Sequence, residues 1–261
     1  MSSFRINLAL VKKCPPLLTL KTALETLGRP SDKDYGVMGV SDIIDDKLTF
    51  EFFKTREQTM PRVDKQDGSI QTPTVKKDDT FKASIRMAGD SSVGILELYT
   101  GSATTMDKVA ELFAVMELSD QVPLLEAIEL DIMRKVNDVR EGAKQFQLVS
   151  AKVKQYKDAT DGAITGTYTV KFPKDMEAAN SISFCQEHAD NLESVKVRVK
   201  RDELTKAIAV TIRPTAFFTL SAPDADETKA LNVCRILAGT MQPRVPRPPE
   251  VQAAQEQEAL P

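Results

Sequence analysis

Residues 195–200 read Val-Lys-Val-Arg-Val-Lys, a strict alternation of apolar and basic side chains. Because successive side chains of a β-strand point to opposite faces of the sheet, this pattern is typical of a strand with one buried face and one cationic face. The valines favour burial, so Lys196, Arg198 and Lys200 are expected to form a row on the exposed side. The chain should therefore contain a sheet that is covered on one face only.

Other segments extend this pattern. Alternating apolar residues around turns predict three hairpins, formed by residues 81–87 with 93–99, 148–156 with 164–172, and 195–201 with 207–213. Helical spacing and capping residues predict helices at residues 17–27, 104–116, 122–146, 173–188 and 224–239. Residues 57–80 are polar, include two prolines and a glycine, and are predicted to form a long loop.

Hairpins mixed with helices favour an α+β fold, with mostly antiparallel sheets, helices packed on one face and two related α/β halves. The length allows two lobes, which we place at residues 1–120 and 121–240. Residues 241–261 are rich in Pro, Gln and Glu and are predicted to be a disordered tail.

The three cysteines, Cys14, Cys185 and Cys234, are too few and too far apart for a secreted disulfide scaffold. A reducing cytoplasmic location is therefore expected. The first residues lack the pattern of a signal peptide, and no window approaches the ~18 consecutive apolar residues of a membrane span. Membrane insertion is therefore not expected.

Charge is distributed unevenly along the chain. Residues 89–132 contain one Lys or Arg against nine Asp and Glu, whereas residues 133–213 contain fifteen against eleven. Local field rather than net charge decides whether a surface attracts a polyanion. A basic region beside an acidic one is compatible with nucleic-acid binding and also with self-association.

Catalytic motifs are scarce. His188 is the only histidine, and Cys185 lies one helical turn before it, a pairing too ordinary to indicate a nucleophile and its base. The sequence contains no zinc-ligand cluster and no phosphate-binding glycine loop. We therefore expect a non-enzymatic protein without cofactor or metal. A magnesium-dependent nuclease remains an alternative, built on the loop aspartates Asp42, Asp45, Asp46, Asp64 and Asp67.

The basic strand has neighbours with the same polar side. If the strands share a sheet, its open face would suit phosphate contacts without base readout. The candidate nucleic-acid-binding residues are Lys152, Lys154, Lys171, Lys196, Arg198, Lys200 and Arg213. Two alternatives remain, a plain solvated surface and an assembly in which this face meets acidic segments of a neighbour. Those segments contain Glu111, Glu117, Glu126, Glu129 and Asp131.

The layout resembles that of the RexA-like phage-exclusion proteins over residues 4–215. The resemblance is carried by four segments, Arg5–Leu8, Ile44–Thr55, Gly101–Thr105 and Val195–Lys200. The strongly acidic segment 89–132 departs from it. The resemblance implies a dimeric, non-enzymatic protein that binds double-stranded DNA with little sequence preference. It further implies a sensor that acts with an effector protein in phage defence.

Overall fold

The computed structural model of the chain describes residues 2–28, 33–63, 70–88, 92–99, 104–116, 123–154 and 166–241. The predicted tail, apart from Met241, lies outside these residues, as do Asp64, Asp67 and Glu117. All statements about structure below refer to the described part of the chain.

Thirteen strands and five α-helices are described. In chain order they are β1 (Ser2–Lys12), α1 (Leu17–Leu27), β2 (Tyr35–Met38), β3 (Lys47–Thr59), β4 (Arg62–Val63), β5 (Ile70–Gln71), β6 (Thr74–Met87), β7 (Gly94–Leu98), α2 (Thr104–Ala114), β8 (Leu124–Ala127), α3 (Ile132–Glu141), β9 (Gln145–Lys154), β10 (Thr167–Lys171), α4 (Ala178–Glu187), β11 (Leu192–Lys200), β12 (Ile208–Ile212), β13 (Phe217–Ala222) and α5 (Glu227–Leu237).

Eleven of the described strands form one sheet, in which every pair is antiparallel. Its order is β10-β9-β11-β12-β13-β1-β7-β6-β3-β2, and β8 pairs with the end of β1. The three predicted hairpins are present as β6–β7, β9–β10 and β11–β12. The expected α+β class with a mostly antiparallel sheet is confirmed.

Strand β1 lies near the middle of the sheet and joins its two parts. Residues 2–7 pair with β13, residues 7–11 pair with β7, and residues 9–12 pair with β8. Ile6 and Leu8 belong to a core that includes residues of α3, α4 and α5. Val11 belongs to a second core that includes residues of α1 and α2.

The two cores lie on opposite faces of the sheet. In β7, Ile95 belongs to the core of α3–α5, whereas its neighbours Leu96 and Leu98 belong to the core of α1 and α2. Because strand side chains alternate between faces, the two helix groups cover opposite sides. Each part of the sheet therefore has one face that carries helices and one that does not.

The helix predicted over residues 122–146 is wrong. The chain forms β8, which pairs with the part of β1 that extends past β13. A shorter helix, α3, then begins after Asp131, whose carboxylate accepts a hydrogen bond from the backbone N–H of Arg134 at 3.0 Å. This N-cap starts a new helix, and Gly142 follows its last residue.

The loop predicted over residues 57–80 is also wrong, because β3 and β6 form one long hairpin. Their register runs from Lys47 opposite Arg86 to Thr59 opposite Thr74, and β4 and β5 continue it to Val63 opposite Ile70. The sequence analysis missed these strands because the segment is polar and contains prolines. Proline argues against a strand because it has no N–H to donate to the neighbouring strand. We call residues 55–63 and 70–79 the ribbon. It extends roughly 30 Å, from about nine residues per strand.

A buried ion pair connects the two parts of the sheet. Glu97 of β7 is only 1% exposed, and its two carboxylate oxygens accept hydrogen bonds from Nε and Nη2 of Arg235 at 2.6 and 2.7 Å. Burial alone would raise the pKa of Glu97, but Arg235, together with Lys47 and Arg86, outweighs it and lowers that pKa below its usual value. The pair fixes α5 on β7.

We expect Arg235→Met to lower the free energy of unfolding by about 3 kcal/mol, because it leaves Glu97 buried without its main partner. Lys108→Met is the matched control. It removes the exposed pair between Lys108 and Glu111 and should cost less than about 1 kcal/mol. Urea unfolding of both variants measures the difference, and equal losses would contradict the proposed importance of the buried pair.

Candidate nucleic-acid interface

All seven candidate residues lie on the same face of the sheet. Lys196 is directly opposite Ser150 of β9 and Thr211 of β12, and Lys152 is opposite Thr169 of β10. The buried valines of β11 point the other way, into the core of α3–α5. We call this side of β10, β9, β11, β12, β13 and β1 the basic face. It includes the seven candidates Lys152, Lys154, Lys171, Lys196, Arg198, Lys200 and Arg213.

The basic face is almost free of negative charge. The six described strands that form it place seven Lys and Arg residues on this side, and Arg213 follows β12 directly, whereas they contain a single carboxylate, Glu193. Lys12 of β1 lies on the other side and pairs with Glu126. Between the cations lie mainly hydroxyl and amide side chains. Charges on one strand face are spaced by roughly 6.7 Å along the strand. The face therefore presents a grid of positive charge with few internal counter-ions.

Four of the seven cations have neither an ion pair nor a side-chain hydrogen bond to another described residue, namely Lys154, Lys171, Lys196 and Arg198. The other three make local contacts. Lys152 Nζ lies 2.5 Å from Glu193 Oε2, Lys200 Nζ donates to the carbonyl oxygen of Leu204, and Arg213 Nη1 donates to the carbonyl oxygen of Phe217 at 3.0 Å. The unpaired cations are available to an external anion.

The surroundings of Arg213 include Arg5, a residue that the sequence analysis did not list as a candidate. The guanidinium of Arg213 lies over the ring of Phe217 at 4.8 Å and donates to Thr219 Oγ1 at 3.3 Å. Arg5 of β1 is directly opposite Thr219. Burial lowers the pKa of Arg213, and repulsion from Arg5 lowers it further. Its register with Thr219 places Arg5 on the basic face, and an anion between the two guanidiniums would relieve their repulsion. Alternation of Arg5 with the buried Ile6 was the signal available in the sequence.

A cleft of about 380 Å³ brings three candidate residues together at one end of the basic face. Lys152, Lys154 and Arg213 line it, with Glu193 and Ser194 between them. Three cations against one carboxylate leave a net positive hollow. This charge balance suits a phosphate group or another oxyanion.

The turn between β11 and β12 is fixed by a buried carboxylate. Asp226 accepts hydrogen bonds from Thr205 Oγ1 at 2.6 Å and from the backbone N–H of Lys206 at 3.1 Å. The side-chain hydrogen bond from Thr205 contributes most to lowering the pKa of Asp226 to about 2. The carboxylate therefore stays charged at neutral pH and holds the hairpin that carries Lys196, Arg198 and Lys200.

The pairing of Cys185 with His188 does not resemble a nucleophile activated by a base. Cys185 is fully buried, and burial raises the pKa of its thiol to about 11, whereas a reactive cysteine needs a lowered pKa. The ring of His188 packs against that of Phe184, with 4.4 Å between centroids. These residues contribute to the packing of α4.

The loop aspartates within the described chain have local structural roles. Asp42 accepts a hydrogen bond from Lys21 Nζ at 2.6 Å. Asp45 and Asp46 have φ angles of 51° and 54° between the bridged residues Ile44 and Lys47, as expected for a two-residue hairpin turn. Within the described ranges, no group of three or more His, Cys, Asp or Glu side chains is arranged to bind a metal ion.

No helix in the described part of the chain is long and apolar enough to cross a membrane. Comparisons with protein-family models and with curated proteins find no match for this chain.

The two faces of β11 predict losses of stability of different size when a side chain is truncated to alanine. Lys196→Ala removes an exposed side chain and should change the free energy of unfolding by no more than about 0.5 kcal/mol. Val197→Ala, one residue later, should lower it by about 2 kcal/mol, because Val197 is fully buried. Chemical denaturation tests both variants, and a larger cost at Lys196 than at Val197 would contradict the assignment of the faces.

Proposed function

We propose that this chain is a non-enzymatic protein that binds double-stranded DNA largely independently of sequence. The observation that supports it best is the basic face, where six neighbouring strands present seven Lys and Arg side chains, joined by Arg213 directly after β12, against one carboxylate. Such an excess of like charge is unfavourable unless an external polyanion neutralises it. The phosphate backbone of DNA is a polyanion with regularly spaced charges, and neutralising it releases condensed counter-ions.

The side chains on this face favour backbone contacts over base readout. Lysine and threonine side chains, such as Lys196 and Thr211, typically contact phosphate and sugar oxygens, which are the same in every DNA sequence. The cations lie on a sheet, whereas the usual readers of the major groove are a helix or a two-stranded ribbon. We therefore expect little preference between duplexes of different sequence.

Several acidic residues of the competing assembly hypothesis have structural roles. Glu111 accepts hydrogen bonds from Tyr35 Oη at 2.8 Å and from Lys108 Nζ at 2.7 Å. Glu126 forms an ion pair with Lys12, and Asp131 caps α3. Because these carboxylates already have partners within the chain, docking them onto a basic face would require breaking contacts. This favours an external polyanion as the ligand.

The resemblance to RexA-like proteins extends the proposal to biology. We propose that the chain acts as a dimer in the cytoplasm, and that DNA binding makes it a sensor or accessory subunit in phage defence, acting with an effector protein. In cells, plating efficiency of phage should then fall when the wild-type chain is expressed. When a variant that no longer binds DNA is expressed instead, the plating efficiency of phage should return to its level without the protein.

In vitro, the double variant Lys196→Gln with Arg198→Gln should bind a mixed-sequence duplex roughly tenfold or more weakly than wild type at low salt. Because about two phosphate contacts are lost, the slope of log K against log salt should decrease in magnitude by roughly 2. Fluorescence anisotropy over a series of salt concentrations and with two unrelated duplexes measures both effects. The loss should be nearly the same on each duplex.

The matched control is Arg134→Gln with Arg140→Gln, which removes the same charge from α3 on the opposite side of the sheet. Both arginines are exposed, and this control should retain wild-type affinity and salt slope. Unchanged binding in the Lys196 and Arg198 variant, or equal weakening in both variants, would refute the proposal.

An assembly function without nucleic acid is the alternative, and the ribbon favours it. Val63 and Ile70 are directly opposite each other and are 65% and 70% exposed, and Met60 and Val75 are also exposed. Apolar side chains on a projecting hairpin are common in contacts between protein chains. A molecular mass that depends on Ile70→Lys but not on DNA, with no retention of any duplex at low salt, would support this alternative.

A further inference from the structure

A second cleft lies where the basic face meets an open edge of the sheet. Strand β10 ends at Lys171, opposite Ser150, and the register between β9 and β11 shifts between Lys196 and Val197. The shift inserts Val149 as an extra residue in β9, which is a β-bulge. Bulges bend a strand and redirect its side chains, and they are common beside functional sites.

Beyond the bulge, residues 145–148 of β9 pair with β11 on one side only. No described strand lies on their other side, and the last backbone contact there is the hydrogen bond from the N–H of Phe172 to the carbonyl oxygen of Val149 at 3.0 Å. A cleft of about 270 Å³ occupies this edge, and its lining includes Phe146, Phe172, Gln145, Gln147, Lys174 and Arg198. It is smaller than most drug-sized pockets, which begin at about 300 Å³. It therefore admits one small planar group rather than a stack of several.

Two phenylalanines supply apolar surface in the cleft. Phe172 is only 8% exposed and meets the ring of Phe184 edge-on, at 5.7 Å between centroids, so its orientation is fixed by packing. Phe146 is half-buried and packs against the same core of α3–α5 to which Phe172 belongs. Aromatic side chains of this kind stack on nucleobases regardless of base identity.

The polar lining is complementary to the rest of a nucleotide. Neither Gln145 nor Gln147 has a side-chain hydrogen bond to another described residue, so their amides are available to a ligand. Glutamine amides can donate to and accept from a base edge at the same time. Gln147 is directly opposite Arg198, and neither Arg198 nor Lys174 has an ion-pair partner in the described chain. These two cations are suited to the phosphates that flank one nucleotide.

We propose that this cleft binds a single unstacked nucleotide of DNA that lies on the basic face. The inference depends on the proposed DNA binding, and it adds a preference that phosphate contacts alone do not give. Extruding a base from a paired duplex costs free energy, and the cost is least where the base is already unpaired. The chain should therefore prefer DNA that contains an unpaired base over the same DNA fully paired.

The test uses two duplexes whose paired sequences are the same. One is fully paired, and the other carries in addition a single unpaired, extrahelical 2-aminopurine. The full-length protein should bind the bulged duplex about tenfold more tightly, the effect of one base stacked on an aromatic ring. The 2-aminopurine fluorescence should also change on binding, because its surroundings change from solvent to the cleft.

Gln147→Leu and Phe146→Leu should each abolish the tenfold preference while leaving affinity for the paired duplex unchanged. Gln186→Leu is the control for glutamine removal, because Gln186 is exposed on α4 and outside the cleft. Since Phe146 is half-buried and its replacement could impair folding, the Gln147 variant keeps the test decisive.

The outcomes separate the two proposals. Binding of both duplexes with equal affinity and without a fluorescence change would refute the nucleotide cleft and leave DNA binding by the basic face intact. Absence of binding to either duplex at low salt would refute both. A preference for the bulged duplex that persists in Gln147→Leu and Phe146→Leu would show that another part of the chain recognises the unpaired base.

Discussion

Strand β1 buries apolar side chains on both faces of the sheet, Ile6 and Leu8 in one core and Val11 in the other. Since α1 and α2 use one core and α3–α5 use the other, neither helix group covers the whole sheet. The hydrophobic effect stabilises each core from one side only, and this leaves the opposite face of each part of the sheet for polar side chains. The basic face follows from this arrangement rather than from an isolated patch of lysines.

The open face of β9–β13 is specialised by charge. A half-exposed sheet needs polar side chains on its outer face but has no need for a single sign of charge, because like charges on neighbouring strands are unfavourable. Here Glu193 is the only carboxylate in the six described strands of this face, and it pairs with Lys152. Meanwhile Asp226 fixes the β11–β12 turn from the other side. The cost of this excess positive charge is the physical reason to infer a polyanionic ligand.

Local alternation made β11, its hairpin with β12 and the position of all seven basic residues predictable from the sequence. The prediction of a helix at residues 122–146 was wrong because apolar residues recur about every four positions from Leu125 and Ile128 into α3. Leu125 belongs to β8, however, and Ile128 to the segment after it. The pairing of β8 with β1 is a contact between distant parts of the sequence, which no local pattern predicts. The ribbon was missed because its exposed strands need no buried face, and the cleft because it depends on a bulge and on where β10 ends.

The most direct test of the basic face is a lysine-labelling footprint on the wild-type chain, with and without a mixed-sequence duplex at low salt. Mass spectrometry then reports the reactivity of each lysine. DNA binding at this face predicts that Lys154, Lys171 and Lys196 lose reactivity while Lys229, on the side covered by α5, does not. Uniform reactivity, or protection centred on Lys229, would contradict the account.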